Sequence, residues 1–172
     1  MTNTLEFIKL SENATKPERK GINAGFDIFA AEKVILEPQE KAVIRTDIAV
    51  NIPEGYVGLL TSRSGVSSKT HLVIETGKID AGYQGNLGIN IKNDVLPYAS
   101  GFKANRYKNT RNEDVYVEDG KTTYKRGTYQ INKGDKLAQL VIVPIWMPEL
   151  KEVKEFSYVS ERGTDGFGST GY

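Results

Sequence analysis

Apolar and polar positions alternate with a period of two over most of the chain, rather than with the period of a helix. Short β-branched segments bounded by turn residues, and one cleanly alternating segment, each predict a strand. These segments are 33–37, 41–46, 48–53, 56–61 and 87–92. Strands this short, spaced roughly 8–12 residues apart, indicate an all-β barrel or sandwich. One helical turn is expected, near 66–69.

The segment 94–126 departs from this pattern because it is polar and rich in Lys, Asn and Tyr. Within it, residues 115–124 alternate on both sides of an Asp119-Gly120 turn, which predicts a β-hairpin. We interpret 94–126 as an inserted surface excursion on a single domain that spans 1–172.

The C-terminal residues 160–172 are too rich in glycine to order on their own, because glycine loses the most backbone entropy on folding. One interpretation is a frayed terminus. The segment also carries an arginine, an aromatic ring and hydroxyls. The other interpretation is therefore a flexible arm that closes over an anionic, planar ligand.

The composition excludes several chemistries. The chain has no cysteine and one histidine, His71, so it has neither thiol chemistry nor a His/Cys metal cluster, and His71 is predicted to be structural. Its 23 basic and 22 acidic residues leave a net charge of +1, which predicts no direct nucleic-acid partner. No apolar stretch approaches the roughly 20 residues of a membrane span, and the first residues carry no secretory signal. We expect a soluble, cytoplasmic domain without a membrane partner.

A candidate phosphate site lies at 61–65, between a predicted strand and the helical turn. Backbone N–H groups at a helix start, a hydroxyl and the guanidinium of Arg63 together suit a phosphate. The alternative is an ordinary helix N-cap, which Ser64 alone would satisfy.

A glycine-rich segment at 77–88, predicted to be a hairpin, holds one carboxylate, Asp80, and one aromatic ring, Tyr83. Glycines let the backbone approach a ligand closely, so its polar groups could read the edge of a base. Asp80 could accept a proton from water or a sugar hydroxyl. The alternative is a turn with a solvated Asp.

Two further polar residues interrupt apolar strands. Asp27 lies between Phe26 and Phe29, and Gln139 follows the turn at 134–136. Because an inward carboxylate is costly unless it is paired, Asp27 belongs either to a structural network or to a metal site that it contacts indirectly.

Together, these segments resemble the trimeric dUTP pyrophosphatases (dUTPases). Five motifs stand in the family's order: AGFDIFA at 24–30, SRSG at 62–65, GKIDAGYQG at 77–85, GDKLAQL at 134–140 and RGTDGFGST at 162–170. The resemblance runs from about residue 20 to the end and excludes roughly 94–126. Ser62 stands where the family commonly has proline, and Lys78 replaces a small or apolar residue; neither removes a functional group. The excursion resembles an insertion seen in phage-encoded members.

The resemblance implies a jelly-roll (β-clip barrel) homotrimer with active sites at subunit interfaces, each closed by a C-terminal arm from another subunit. The implied reaction is hydrolysis of dUTP to dUMP and pyrophosphate by attack of water on the α-phosphorus. Such a reaction keeps uracil out of DNA and supplies dUMP for dTMP synthesis. Mg²⁺ is the implied cofactor, contacted by Asp27 through water. A phage-encoded member would act in the host cytoplasm.

The resemblance also assigns site residues. Asp80 is implied to hold the sugar 3′-hydroxyl and activate the water, and Tyr83 to pack beneath the deoxyribose and exclude a 2′-hydroxyl. The backbone from Gly85 to Gly88 would pair with uracil. The other implied substrate-binding residues are Arg63, Ser64, Gly65, Gln139, Arg162, Gly168 and Ser169 for the phosphates, Phe167 for stacking on uracil, and Gly77, Lys78 and Ile79 before the loop.

Two rival functions stay open. The related dCTP deaminases carry a glutamate where this chain has Gln84, and an amide cannot serve as their general base. A protein-binding regulator is the second rival, because tyrosine and arginine are enriched in binding hot spots. The excursion holds Tyr98, Tyr107, Tyr116, Tyr124, Arg106 and Arg111. Phage dUTPases as a group bind repressor proteins, so the resemblance implies a second role, with a repressor-type partner contacting 94–126 and the active-site mouth. A surface insertion without a partner is the plainer alternative.

Overall fold

Fifteen short β-strands and one α-helix make up the computed structural model, which describes residues 4–98 and 101–165. In chain order the elements are β1 (Glu6–Lys9), β2 (Phe26–Phe29), β3 (Val34–Leu36), β4 (Lys41–Arg45), β5 (Ile48–Asn51), β6 (Tyr56–Ser62), α1 (Ser64–Lys69), β7 (Leu72–Ile74), β8 (Gly77–Ile79), β9 (Gly88–Asn93), β10 (Lys103–Ala104), β11 (Arg106–Lys108), β12 (Asp114–Tyr116), β13 (Tyr124–Lys125), β14 (Tyr129–Ile131) and β15 (Lys136–Pro144). The five predicted strands and the helical turn are confirmed. No helix in these ranges is long and apolar enough to cross a membrane.

Two sheets position the candidate site. One has the strand order β2-β15-β6-β8 and the other β4-β9-β7. Smaller sheets in the described residues are β1-β5, β10-β13 and β12-β11-β14-β3. Nearly all pairs are antiparallel, as short-range connections allow; β11 and β14 pair in parallel. The nine-residue β15 pairs with β2 on one side and with β6 on the other, so it is a central strand of the first sheet.

The core lies between the sheets, because alternate side chains along a strand are buried and the side chains between them are exposed. In β9, Ile89 and Ile91 are buried while Asn90 between them is exposed. Buried side chains from β2, β5, β6, β14 and β15 complete one apolar cluster. Tyr129 is the largest fully buried side chain, and its hydroxyl accepts a hydrogen bond from the backbone N–H of His71.

The glycine-rich segment at 77–88 is not the hairpin that its sequence predicts. Its first strand, β8, pairs with β6 in the first sheet, whereas the strand that follows, β9, pairs with β4 and β7 in the second sheet. The intervening loop therefore crosses between the two sheets. Strands β8 and β9 do not pair with each other, because their hydrogen-bonding partners lie in different sheets.

The hairpin predicted at 115–124 is also wrong. The excursion does contain a hairpin, but it is formed by β11 and β12, while β13 pairs with β10. Asp119 closes a local turn instead, since its Oδ1 accepts hydrogen bonds from the backbone N–H groups of Lys121 and Thr122 at 2.9 and 2.8 Å. Such an Asx turn redirects the chain rather than joining two paired strands.

Candidate active site

A polar row crosses the first sheet where three strands lie side by side. Gln139 on β15 is directly opposite Asp27 on β2 and Thr61 on β6. Residues in this register project from the same face, so their side chains can interact. The Gln139 amide Nε2 donates to Asp27 Oδ1 at 3.1 Å. The pairing register therefore unites two motifs that are more than a hundred residues apart in sequence.

Two cations converge on Asp27. Arg63, directly after β6, places its Nε 2.9 Å from Asp27 Oδ1. Lys136 places its Nζ 3.3 Å from Asp27 Oδ2 and 2.9 Å from Glu18 Oε2. The Asp27 side chain is only 13% exposed, whereas that of Arg63 is 32% exposed. Asp27 thus holds the guanidinium in place, and within residues 4–98 and 101–165 the other guanidinium N–H groups have no hydrogen-bond partner.

Asp27 is an ionised positioning group. Burial acts to raise the pKa of this carboxyl, but hydrogen bonds from Gln139 and Lys136, together with the charges of Arg63 and Lys136, outweigh it and hold the pKa below its ordinary value. A carboxylate of this kind stays charged at neutral pH and is a poor proton acceptor. Asp27 therefore belongs to a structural network, which is one of the two interpretations of this residue. An indirect contact between Asp27 and a metal ion stays a prediction.

The start of α1 lies open beside this cluster. The idea that Ser64 caps the helix is wrong, because Arg63 is the N-cap, without a side-chain capping bond, and Ser64 is the first helical residue. A Cβ at Gly65 would meet no atom within 4 Å. The first N–H groups of a helix lack partners within it, so those at this exposed end can receive an anion. We name Arg63, Ser64, Gly65, Asp27 and Gln139 the phosphate cluster.

Asp80 and Tyr83 lie together on the loop that follows β8. The backbone N–H of Tyr83 donates to the carbonyl of Asp80 at 3.1 Å, and Gly82 between them has a φ of +83° that favours glycine. The Tyr83 hydroxyl donates to the carbonyl of Asn86 at 3.1 Å. A Cβ at Gly85 would lie 2.6 Å from Tyr83 Cζ, so glycine is required for the ring to pack there. Asp80 is exposed and Tyr83 is 47% exposed, so both can meet a ligand. We name residues 80–85 the nucleoside loop.

The nucleoside loop is anchored by residues that the sequence did not single out. Asn86 Nδ2 donates to Asp47 Oδ1 at 2.8 Å, and the backbone N–H of Asp47 donates back to Asn86 Oδ1 at 3.0 Å. Asp47 is almost fully buried and pairs with Arg45 at 2.8 Å. The only advance signal is an asparagine among glycines. Its partner Asp47 adopts a φ of +52°, which sequence patterns do not reveal.

One protomer does not bring the phosphate cluster and Asp80 together. In the β6–β8 pair, Ile79 lies opposite Gly58, so Asp80 is next to the far end of β6. Asp80 falls at the level of Val57 in this antiparallel register, and Arg63 is six residues from Val57, about 20 Å at the usual rise per residue. The other predicted residues of this strand, Gly77 and Lys78, pair with Leu60 and Leu59 between the two ends. Gly88 begins β9, on the second sheet.

The structure describes one of the predicted site residues of the C-terminal arm. Arg162 is exposed within a turn at 161–164, and its Nε donates to the carbonyl of Asp165 at 3.0 Å. Phe167, Gly168 and Ser169 lie outside the described residues. The preceding segment, 145–159, leaves large apolar side chains in solvent, among them Trp146 at 88%, Leu150 at 100% and Phe156 at 84% exposure. Apolar exposure of this extent is typical of a binding surface.

The all-β fold thus carries two clusters that suit a phosphorylated ligand, one cationic and one with an exposed carboxylate. The dUTPase family model matches residues 12–95 and 122–171, and the chain belongs to the dUTPase family, the dUTP nucleotidohydrolases. The deoxyuridine 5'-triphosphate nucleotidohydrolase of Mus musculus is 33% identical over 169 residues, which cover 98% of this chain and 85% of the mouse protein. The resemblance in the five motifs is thereby confirmed. Residues 96–121, which the family model does not match, lie inside the excursion.

Phage enzymes with solved structures are more similar still. The dUTPase of Staphylococcus bacteriophage 80alpha with dUPNHPP is 64% identical, superposes with a TM-score of 0.94, and covers 99% of this chain and 100% of its own. The dUTPase of phage phi11 of S. aureus is 65% identical with a TM-score of 0.86, covers 90% and 99%, and is described as showing a species-specific insert. The jelly-roll β-clip fold expected from the sequence is confirmed by these superpositions.

Proposed function

We propose that the chain splits dUTP into dUMP and pyrophosphate by attack of water on the α-phosphorus. The observation that carries this proposal is the nucleoside loop, which holds an exposed carboxylate and a tyrosine ring in one rigid turn. Asp80 holds the sugar 3′-hydroxyl and activates the water, a contribution worth about 10²–10⁴-fold for a general base. Tyr83 packs beneath the deoxyribose, where a 2′-hydroxyl would clash. The backbone of 85–88 pairs with uracil.

The phosphate cluster binds the triphosphate. Asp27 holds Arg63 in place, so the guanidinium does not reorganise as charge moves onto the leaving pyrophosphate. Ser64 and Gly65 offer the open end of α1, and Gln139 acts through its hydrogen bond to Asp27. The C-terminal arm adds Arg162, Phe167, Gly168 and Ser169, which is the arrangement that the motif at 162–170 implies.

Mg²⁺ is the cofactor in this proposal. Mg²⁺ usually keeps several waters and binds through substrate phosphates with few protein ligands. Asp27 suits a water-mediated contact because it is ionised, and among the described residues only Lys136, at 3.3 Å, donates to its Oδ2. When bound, the ion would offset the charge of the phosphates. The phi11 dUTPase, described as coordinating a structural Mg(II) ion, supports the use of this metal in close relatives.

The active enzyme is a homotrimer in which the arm is exchanged between subunits. Asp80 and Arg63 lie about 20 Å apart along β6, so one substrate needs them from two chains. The exposed apolar side chains of 145–159 support an arm that packs on a neighbour. A closed ring of three identical chains repeats one such interface three times.

Pyrophosphate release from dUTP, dTTP, dCTP and UTP, each with Mg²⁺, tests the proposed reaction. We expect turnover of dUTP alone, because the loop excludes a 5-methyl group, a cytosine edge and a 2′-hydroxyl. Equal turnover of UTP would contradict the role of Tyr83. Ammonia release from dCTP would favour the deaminase alternative, which the Gln84 amide opposes: Gln84 is exposed, and its Nε2 donates to Asn51 Oδ1 at 3.1 Å.

A second, regulatory function is favoured by the surface of the excursion. Arg126 stacks on the exposed ring of Tyr98 at 4.5 Å, and Arg106 on that of Tyr116 at 5.7 Å. Stacked arginine and tyrosine are typical of protein-binding hot spots. We propose that a repressor-type protein contacts 94–126 and the active-site mouth, so that the phage-encoded enzyme also acts in host-cell regulation. The 80alpha relative is described with the words that phage dUTPases control transfer of virulence genes by a proto-oncogenic G protein-like mechanism.

Replacing 94–126 with a short linker tests this second role, with binding to a phage repressor measured by interferometry. Loss of binding with dUTP hydrolysis retained is expected. Unchanged binding would make the excursion irrelevant to the partner. The double variant Tyr116→Ala with Arg126→Ala serves as a milder change if the linker variant does not fold.

A further inference from the structure

An open groove of about 400 Å³ connects the phosphate cluster with the excursion. Arg63, Lys69 and Lys136 line it from the body of the protein. Arg111, in the turn between β11 and β12, lines it from the excursion. One carboxylate, that of Asp135, shares the lining with these four cations. Cationic side chains therefore line the groove from both the phosphate cluster and the excursion.

The charges in the groove are only partly compensated. Arg63 and Lys136 are paired with Asp27, and Lys136 also contacts Glu18. Over residues 4–98 and 101–165, neither Lys69 nor Arg111 has an ion-pair partner. These two cations exceed what Asp135 can offset. An anion placed in the groove would meet them without having to break an existing ion pair.

Hydrogen bonds within the turn fix the backbone of Arg111. The Asn109 side chain Oδ1 accepts from the backbone N–H groups of Arg111 and Glu113 at 2.9 and 3.0 Å. The Asn109 backbone N–H donates to the carbonyl of Glu113 at 3.0 Å, and that of Asn112 donates to the carbonyl of Asn109 at 2.9 Å. The turn is thus closed on itself, with the Arg111 side chain projecting from it.

The turn is also tied to the core. The buried Tyr129 donates its hydroxyl to Asn112 Oδ1 at 2.9 Å. The Lys108 ammonium donates to the Asn112 carbonyl at 3.2 Å. Asn112 has a φ of +67°, a left-handed conformation that asparagine tolerates better than most residues. Since Tyr129 is held on β14, the backbone of Arg111 beside the groove is fixed before any ligand binds, which lowers the entropic cost of binding.

We propose that Arg111 is a further substrate-binding residue that contacts the terminal phosphates of the dUTP whose hydrolysis is proposed above. A guanidinium offers a planar fork to phosphate oxygens, and Lys69 adds a point charge beside it. The α-phosphate and the nucleoside stay with the phosphate cluster and the nucleoside loop. A nucleotide without β- and γ-phosphates leaves Arg111 uncontacted, so the excursion distinguishes dUTP from dUMP.

The test compares the affinities of the non-hydrolysable analogue dUPNHPP and of dUMP by calorimetry, for the wild type and Arg111→Ala. We expect the Kd of the analogue to rise about tenfold, the size of one charge-assisted hydrogen bond at a partly solvated site, and the Kd of dUMP to stay constant. Arg111→Lys should lie between the two proteins, because it keeps the charge and loses the fork. Lys121→Ala is the matched control, since Lys121 is an exposed cation elsewhere in the excursion, and it should leave both affinities unchanged.

An unchanged Kd for the analogue in Arg111→Ala, or an equal loss for dUMP, would overturn the assignment. Thermal melting of each variant establishes that the excursion remains folded. Hydrolysis of dUTP by the wild type, measured alongside, reports on the proposed function separately. If the wild type neither binds nor hydrolyses dUTP, that function is wrong, and inorganic tripolyphosphate becomes the probe for the groove. Arg111→Ala must then raise the tripolyphosphate Kd about tenfold, and an unchanged value would refute the inference.

Discussion

Two variants that are inactive alone should restore activity when they share a trimer. Asp80 lies next to the end of β6 at which Ile79 pairs with Gly58, and Arg63 follows the opposite end. Six residues at about 3.3 Å each put the two positions about 20 Å apart, so under the proposed function each site takes its carboxylate and its guanidinium from different subunits. A trimer that contains Asp80→Asn and Arg63→Ala chains can therefore assemble a site with both native residues.

The expected recovery follows from the symmetry of the ring. Asp80→Asn removes the general base and should cost at least about 10²-fold in turnover, while dUPNHPP still binds. Arg63→Ala removes a donor that stabilises developing charge and should cost about 10²–10³-fold. A mixed trimer has two chains of one variant and one of the other. In either case one of its three interfaces joins the native Asp80 of an Arg63→Ala chain to the native Arg63 of an Asp80→Asn chain. Turnover per trimer should thus return to about one third of the wild-type value, well above either parent.

The assay uses co-expression with two different affinity tags, purification over both, and pyrophosphate release from dUTP. A mixture of Arg63→Ala with Gln139→Ala is the matched control, because both residues belong to the phosphate cluster of one chain and no interface can recover both. Activity of the Asp80→Asn and Arg63→Ala mixture at the parental level, in a verified mixed trimer, would show that one chain supplies both halves of its site.

Three further predictions concern the arm, the phosphate cluster and the nucleoside loop. Deletion of 162–172 should leave the trimer intact by sedimentation and nearly abolish dUTP hydrolysis; dissociation of the trimer would mean that the tail is structural. Asp27→Asn should lower the Tm at pH 7. Because the folded pKa of Asp27 lies below its ordinary value, its stabilisation is present above about pH 4 and is lost as the pH falls through the folded pKa, so the Tm difference should shrink in acid. A difference that grows on acidification would contradict this sign. Gly85→Ala should raise the KM for dUTP and weaken discrimination against UTP, because the new methyl group would displace the Tyr83 ring; unchanged steady-state kinetics for both nucleotides would show that the ring position is unimportant.

Much of the fold could be predicted from the sequence because strand alternation is a local signal. Ile89 and Ile91 are buried on one face of β9 as the pattern indicates, and the turn at Gly134 adopts a positive φ. Strand partners are not a local property, and this is where the predictions failed. The Asp119-Gly120 dipeptide is typical of a hairpin turn, yet the strands on either side of it pair with β11 and β10.

The same distinction applies to the site. Asp80, Tyr83 and Arg63 belong to short motifs, so their candidate roles can be predicted from neighbouring residues in the sequence. The contact of Gln139 with Asp27 depends on the register of β15 with β2, which no local pattern gives. The sequence indicates Arg111 only as part of a protein-binding surface, because its place in the groove depends on a turn tied to the core more than fifteen residues away in sequence.

Hydrolysis of dUTP in oxygen-18 water tests the central claim most directly. Attack of an Asp80-activated water on the α-phosphorus places the label in dUMP and leaves pyrophosphate unlabelled. The same experiment with Asp80→Asn should give the same labelling at a rate at least about 10²-fold lower. Label in pyrophosphate or in free phosphate would mean that water attacks another phosphorus and that the proposed arrangement of nucleoside loop and phosphate cluster is wrong.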